Sequence, residues 1–450
     1  MRSDSRLGPT LNFLDVSNPK RNHRSQSGWE GFFPYYAGYS ETFARRVLSS
    51  AKLPAGATVF DPWNGSGTTT FAAAHLGFAA VGLDLNPAMI AVARARLLAS
   101  SEADSLKPLC QTVIRGARST AALGDEPLLS WFEVQTAATI RSLEKSIRSK
   151  LVGDLTITTV GPKLDRLSSV AAAFYCALFA VCRDLARPFQ TSNPTWLRGA
   201  RTGEARISAS VSEVHARFRA QIASMAHELS CRDSEKRSEF AHTECKLGDS
   251  TKVDTVTADF ILTSPPYCTR IDYAAATRIE LAVLSPLVNV NHVELGRQMI
   301  GSTRVPVHTP AVQDRWGDAC NAFLKRVHAH PSKASSGYYY KTHLDYFDKL
   351  DRSIASIATA LRSKGAAILV VQDSHYKDVH NDLPKIVTEI AAAYGLALER
   401  REDFFLKRSM AGINPGSRAY RTTTGAVESV LCFRKPSRME QPNGKRRRAN

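Results

Sequence analysis

The sequence predicts an α/β fold built on a mostly parallel sheet. Strand-like runs alternate with helical ones in two stretches, about 29–99 and 245–434, which is the pattern of βαβ units. The stretch "VFDPWNGSGTTTFAAAHLGF" (59–78) passes from a strand through a glycine turn into a helix, as the ligand-binding unit of such sheets does. Residues 100 to about 243 break the rhythm and read as mainly helical, so the sheet is expected to carry a helical insertion.

In chain order, the first stretch predicts a helix near 40–50, a strand at "TVFDP", a helix from Thr68, a strand at "AAVGLDL" and a helix over 87–99. The insertion holds "VAAAFYCALFAVC" (170–182), uncharged and apolar on every side, as a buried core helix is. A weaker strand signal stands at "LTITTV" (155–160), and "PFQTSNPTWLRGARTGEAR" (188–206) is a loop by its Pro, Asn and Gly content. The second stretch predicts strands at "DFILTS" and "AAILVVQD" and helices near 344–363 and 382–394. The late strands "REDFFLKR" and "VESVLCFR" follow without room for a long helix, so they form an antiparallel hairpin at one edge. The resulting organisation is a flexible or loosely docked basic arm (1–27), a first core part (28–99), the helical insertion (100–243), a second core part (244–434) and a disordered basic tail (435–450).

Composition narrows the function classes. A net charge of +17 points to a polyanionic partner, nucleic acid first. The eight cysteines show no C-x-x-C pair and no zinc-ligand spacing, so buried reduced thiols and no metal site are expected. With no hydrophobic signal core and no apolar run reaching the roughly 18 residues of a membrane span, the expected location is the cytoplasm and no membrane partner is expected. The glycine turn lacks the G-x-x-x-x-G-K-[ST] pattern of a nucleoside triphosphate site.

Two motifs carry the chemistry. Gly65 and Gly67 let the backbone turn sharply and approach a ligand, and Thr68, Thr69 and Thr70 then open a helix whose free N–H groups favour an anionic group. Asp84 ends the next strand and is suited to accept two hydrogen bonds from ribose hydroxyls. Far along the chain, "FILTSPPYCTRIDY" (260–273) runs a buried strand into two prolines, which supply no N–H and fix φ. The result is a stiff corner bearing a carbonyl and the aromatic face of Tyr267.

Together "DPWNGSGTT" and "TSPPY" resemble motifs I and IV of the S-adenosylmethionine-dependent DNA amino-methyltransferases, and Ser-Pro-Pro-Tyr is most similar to the N4-cytosine branch. "WEGFFPYYAGYSETFARRVL" (29–48), "GLDLNP" and "KLGDS" resemble motifs X, II and III, and the stretch from Tyr346 to Ser374 resembles motifs V to VII. The resemblance implies a Rossmann-like methyltransferase fold with a seven-stranded, mostly parallel sheet. It also implies S-adenosyl-L-methionine as cofactor, held by Tyr35, Asp61, Trp63, Gly65, Gly67, Thr68, Thr69, Asp84, Asn86 and Asp249. Ser264, Pro265, Pro266 and Tyr267 become the catalytic corner, for direct transfer to the exocyclic amine of a flipped cytosine. The implied partners are double-stranded DNA and, in a restriction or phage-defence setting, a cognate nuclease. Adenine N6 methylation shares this chemistry. RNA base methylation and an inactive DNA-binding protein are the other readings. Cys268 follows tyrosine rather than proline and is read as packing, not as a covalent nucleophile.

Target reading is left to the regions without a motif. Trp196, Arg198 and Arg201 of the insertion loop, with Arg270 and Arg304, are the expected DNA contacts. The insertion and residues 287–340 are expected to face each other across the catalytic corner, the alternative being that the insertion only buttresses the sheet.

Overall fold

The computed structural model describes all residues except 1–8, 10, 21–27, 33–37, 119–123, 154–163, 165–166, 192–195, 232–240, 254, 269–271, 407–424 and 438–450. The predicted "LTITTV" strand, Tyr35, Arg270 and most of the basic tail therefore lie outside the described residues.

Seven strands form one sheet: β1 (Thr58–Asp61), β2 (Ala79–Asp84), β3 (Thr243–Leu247), β4 (Ala258–Thr263), β5 (Leu361–Gln372), β8 (Ala397–Leu406) and β9 (Ala426–Arg434). Their order is β3-β2-β1-β4-β5-β9-β8, and β6 (Ser374–Tyr376) with β7 (Val379–Asn381) makes a separate two-stranded ribbon. The first five run parallel, whereas β9 is antiparallel to both β5 and β8. This is the Rossmann-like, mostly parallel seven-stranded sheet with an antiparallel edge pair that the sequence predicts. The chain builds β1 to β3 outward on one side and returns to place β4 on the other side of β1. The carboxyl ends of β1 and β4 thus flank a topological switch point, where open α/β sheets bind ligands.

Side-chain alternation explains the layering. Phe260 and Leu262 of β4, Ile368 and Val370 of β5, and Val430 and Cys432 of β9 point to one face. There they meet Phe43, Val47 and Leu48 of α1 (Glu41–Ser50) and Ala72 and Ala73 of α2 (Thr68–His75). Ile261, Leu369, Val371, Leu431 and Phe433 point the other way. That face is covered by α11 (Gly317–Ala329), α12 (Tyr340–Ala360) and α13 (Leu383–Ala393). Ser40 starts α1 by accepting the Phe43 N–H (3.2 Å), and Asn86 with Pro87 starts α3 (Pro87–Arg96).

The helical insertion has no core of its own. Its helices α4 (Ala103–Gly116), α5 (Val134–Ile147), α6 (Ser169–Leu185) and α7 (Val211–Ser230) share one apolar cluster with α3 and with α8 (Tyr273–Ala276), α9 (Arg278–Leu284) and α10 (His292–Gln298). Arg141 reaches from α5 to the Ala282 and Val283 carbonyls, and Arg183 of α6 pairs with Glu280. The insertion is welded to the side of the sheet by these contacts.

β3 is an edge strand that the polar run "TECKL" does not announce. The basic arm is docked where it is described: Leu11 and Leu14 are buried beside Phe43 and Val430, and Arg400 donates to the Leu14 carbonyl (2.9 Å). Two leucines three residues apart outweigh the polar character of their neighbours. Among the described residues no helix is long and apolar enough to cross a membrane.

Candidate active site

The ends of β1, β2 and β4 build one cavity of about 880 Å³, its open mouth included. Asp61 closes β1 and ties four segments together. Its carboxylate accepts the Trp63 N–H (3.1 Å), the Thr69 hydroxyl of α2 (2.6 Å) and the Thr263 hydroxyl at the end of β4. Burial pushes its pKa up to about 6 despite those hydrogen bonds. Tyr39, just before α1, completes the knot by bonding the Thr69 hydroxyl and the Leu262 carbonyl.

The glycine turn follows. Gly67 sits at φ +80° as the residue before α2, and a Cβ there would lie 2.8 Å from the Ala93 Cβ of α3. No larger residue would allow that approach. The Gly65 N–H donates to Asp84 Oδ2 (2.9 Å) and the Asn86 N–H to Asp84 Oδ1 (2.8 Å), so Asp84 fixes the turn and the start of α3 together. Its pKa is also pushed up to about 6, by burial first and then by Asp61. Each Asp84 oxygen retains a lone pair beyond its backbone bond, and the side chain lines the cavity. Asp249, two residues past the end of β3, spends Oδ1 on the Thr251 N–H and hydroxyl (2.9 and 2.8 Å). Trp63 lines the same cavity, and its buried indole Nε1 has no hydrogen-bond partner among the described residues.

Opposite these groups lies the corner from Ser264 to Tyr267, which lines the cavity along its whole length. The Pro266 carbonyl accepts the Tyr346 hydroxyl of α12 (3.0 Å), and the Tyr267 N–H donates to the Tyr273 hydroxyl (3.3 Å). Gly301, at φ +77°, brings a loop so close that a Cβ would lie 2.4 Å from the Tyr267 carbonyl. Among the described residues, no hydrogen bond occupies the Ser264 hydroxyl or the Pro265 carbonyl. Cys268 is 3% exposed, within the apolar cluster beneath the corner.

The structure thus gathers Asp61, Trp63, Gly65, Thr68, Asp84, Asp249 and the Ser264–Tyr267 corner, although β1 and β4 are separated by nearly 200 residues. Three expected cofactor contacts fall elsewhere. Asn86 is a helix cap: Oδ1 accepts the Ala88 N–H (3.0 Å) and Nδ2 donates to Thr277 (2.8 Å), leaving it buried behind the cavity. Thr69 is turned inward onto Asp61, and Gly67 acts by packing rather than by lining. Sequence reasoning missed Tyr39, Tyr273 and the Gln298–Ile300 wall, which also line the cavity. Tyr39 stood inside a quoted motif and Tyr273 inside the corner stretch; the wall carries no local signal.

The expected DNA contacts scatter. Arg198 is locked in a two-pronged ion pair with Glu204 (2.5 and 2.7 Å) and lies over the Phe189 ring. Arg198 is thus paired within its own loop, with a third of its side chain exposed. Trp196 is half-buried beside it, and Arg201 is exposed on a shallow groove with Arg206 and Glu133. Arg304 lies near the corner, 3.5 Å from Asp272.

No family model matches the chain, and the search of curated proteins finds no match. Among solved structures, it is similar to a SAM-dependent methyltransferase from Methanosarcina mazei, at 8% identity over 87% of this chain and 97% of the other, with a TM-score of 0.27. It is also similar to the rRNA methyltransferase aviRa from Streptomyces viridochromogenes, at 11% identity over 89% of this chain and 87% of the other, with a TM-score of 0.29. At such TM-scores the likeness has no bearing on the site, whose reading rests on its own residues.

Proposed function

We propose that the chain is an S-adenosyl-L-methionine-dependent methyltransferase acting on an exocyclic amine of a DNA base, the N4 amine of cytosine. One observation carries the reading. A single cavity at the switch point holds a glycine turn with two acids along one wall and, along the other, a proline-stiffened corner whose Ser264 hydroxyl and Pro265 carbonyl are unengaged. The residues fit the cofactor: Asp84 has acceptor capacity for ribose hydroxyls, Asp249 keeps Oδ2 for an amino group, and the orphaned Trp63 Nε1 is a buried donor awaiting an acceptor.

When bound, the cofactor supplies an electrophilic methyl group. The chain supplies position and hydrogen bonding. An exocyclic base amine is a weak nucleophile because its lone pair is delocalised into the ring. Ser264 Oγ and the Pro265 carbonyl accept its two N–H groups and draw the nitrogen toward tetrahedral geometry. The two prolines and the bond from Tyr346 to the Pro266 carbonyl keep those acceptors from moving, so that orientation supplies much of the rate. Tyr267 offers a face on which a flipped base stacks.

The test is to sequence DNA from cells expressing the protein with a method that separates N4-methylcytosine from N6-methyladenine, beside a Ser264→Ala control. Methyl groups on cytosine N4 that vanish in the control support the reading. Methyl groups on adenine, or on RNA alone, overturn the base assignment.

A further inference from the structure

Beside the catalytic corner stands a group of cations with too few anions. Arg278, the first residue of α9, is half-buried with its guanidinium 5.7 Å from the centre of the Trp131 ring. Among the described residues its side chain has no hydrogen bond and no ion pair, and Asp272 is the acid that acts on it. Arg304 packs over Gly296, where a Cβ would come within 2.7 Å of its Nε. That Nε is buried, lacks a hydrogen-bond partner, and is 3.5 Å from Asp272. Asp272 turns Oδ2 toward Arg304 while its Oδ1 caps α8 by accepting the Ala275 N–H (2.9 Å). His292, at the start of α10, completes the group. Its pKa is held down by burial, then by Arg278 and Arg304, with Asp272 acting the other way. Arg278 is lowered by burial and by Arg304 in the same manner. Two guanidiniums therefore share one carboxylate beside an imidazole that burial and those guanidiniums keep neutral, and each guanidinium gives up part of its hydration there.

The position is as telling as the charge. Asp272 precedes Tyr273, whose hydroxyl holds the Tyr267 N–H. Gly301, pressed on the Tyr267 carbonyl, is three residues from Arg304. From the other side, Trp131 donates its Nε1–H to the Arg198 carbonyl (2.8 Å). The insertion thus reaches this group through the Trp131 ring.

We propose that Arg278, Arg304 and His292 form the site for one backbone phosphodiester of the nucleic-acid strand whose base enters the Ser264–Tyr267 corner; this rests on the nucleic-acid reading above. A phosphate supplies several acceptor oxygens on one centre, enough to engage the Arg278 fork and the partly exposed Arg304 guanidinium together. Anchoring the backbone beside the corner fixes which nucleotide is presented, since phosphate contacts set register and base contacts set identity.

The experiment measures binding of the full chain to a labelled oligonucleotide duplex between about 50 and 200 mM salt, for the parent, Arg278→Gln, Arg304→Gln and Arg278→Lys. A lost phosphate contact makes the slope of log K against log salt shallower by about 0.9. Each Gln variant is expected to show that change with unaltered cofactor affinity by calorimetry, while Arg278→Lys keeps a slope near the parental one. Arg304→Gln decides the matter if loss of the Trp131 stack unfolds Arg278→Gln. Parental slopes in the Gln variants overturn the cluster alone. A parent that binds cofactor but no nucleic acid overturns the cluster and the nucleic-acid reading together.

Discussion

Replacing Asp84 by alanine should separate affinity from stability. The carboxylate accepts two backbone N–H groups, from Gly65 and Asn86. Alanine leaves both donors without their partner, at about 1–3 kcal/mol each where burial keeps water away. Against this stands the strain of the carboxylate itself. Raising its pKa from 3.8 to about 6 disfavours the ionised form by about 3 kcal/mol at neutral pH. The two effects are similar in size and opposite in sign, so the melting temperature of the free variant should stay within a few degrees of the parent. Cofactor binding has no such offset. Two ribose hydroxyls lose a charged acceptor, an expected loss of about 1.5–3 kcal/mol, or roughly ten- to 150-fold in Kd. Isothermal calorimetry with S-adenosylmethionine, beside thermal melts of the free proteins, reads both quantities. An unchanged Kd would remove Asp84 from the site. A fall in melting temperature large enough to explain the lost affinity would make its role structural.

The same pKa shifts set a pH dependence. Asp61 and Asp84 are both raised to about 6, so their contribution to stability is complete below about 3.8 and is lost as pH rises through about 6. Cofactor affinity should run the other way, weakening as pH falls below about 6 and Asp84 is protonated; affinity that stays flat from pH 8 to pH 5 would contradict the ribose role. Tyr267→Ala should lower kcat/KM on DNA by about five- to 150-fold, the range of one lost base–aromatic stack, with cofactor affinity intact; parental turnover would remove the stacking role. Cys268→Ser should keep parental turnover per folded molecule while melting somewhat earlier, since a hydroxyl replaces a thiol in an apolar cluster. Complete loss of turnover by well-folded protein would revive a covalent mechanism.

What could be read from the sequence was what local chemistry enforces. The β1–turn–α2 unit was legible because Gly65 and Gly67 are demanded by backbone geometry, and the end of β4 because Pro265 cannot continue a ladder. The seven-stranded sheet followed from the alternation of elements and the resemblance together. Asn86 shows where the resemblance overruled a better local signal: Asn followed by Pro marks a helix N-cap, and a cap it is. The Arg198–Glu204 pair lay beyond any periodicity rule, because it closes a loop of irregular backbone. The Gln298–Ile300 wall was invisible for a different reason. Its place is set by a long-range contact with a buried lysine, and no residue within the wall announces it.

That lysine belongs to a pattern that accounts for the rigidity of the site. Tyr346, Lys349 and Ser353 stand at i, i+3 and i+7 on α12, one face of one helix. Polar groups on a buried helix face are costly unless each finds a partner, and each does. Tyr346 holds the Pro266 carbonyl of the corner, and Lys349 holds the Arg297 carbonyl at the foot of the Gln298–Ile300 wall while paired with Asp345. Ser353 bonds Ser250, next to Asp249 in the loop that faces the turn. Three segments of the cavity lining, drawn from widely separated parts of the chain, are thus referenced to a single rigid rod. The rod packs on the opposite side of β4 and β5 from α1 and α2. The cofactor wall is set from one layer by the Asp61–Thr69–Tyr39 knot, and the corner, the Gln298–Ile300 wall and the Asp249 loop are set from the other by α12. Opposed anchoring through a close-packed sheet fixes the distance between the two walls, and a fixed distance is what the proposed transfer from a bound methyl donor to an amine requires.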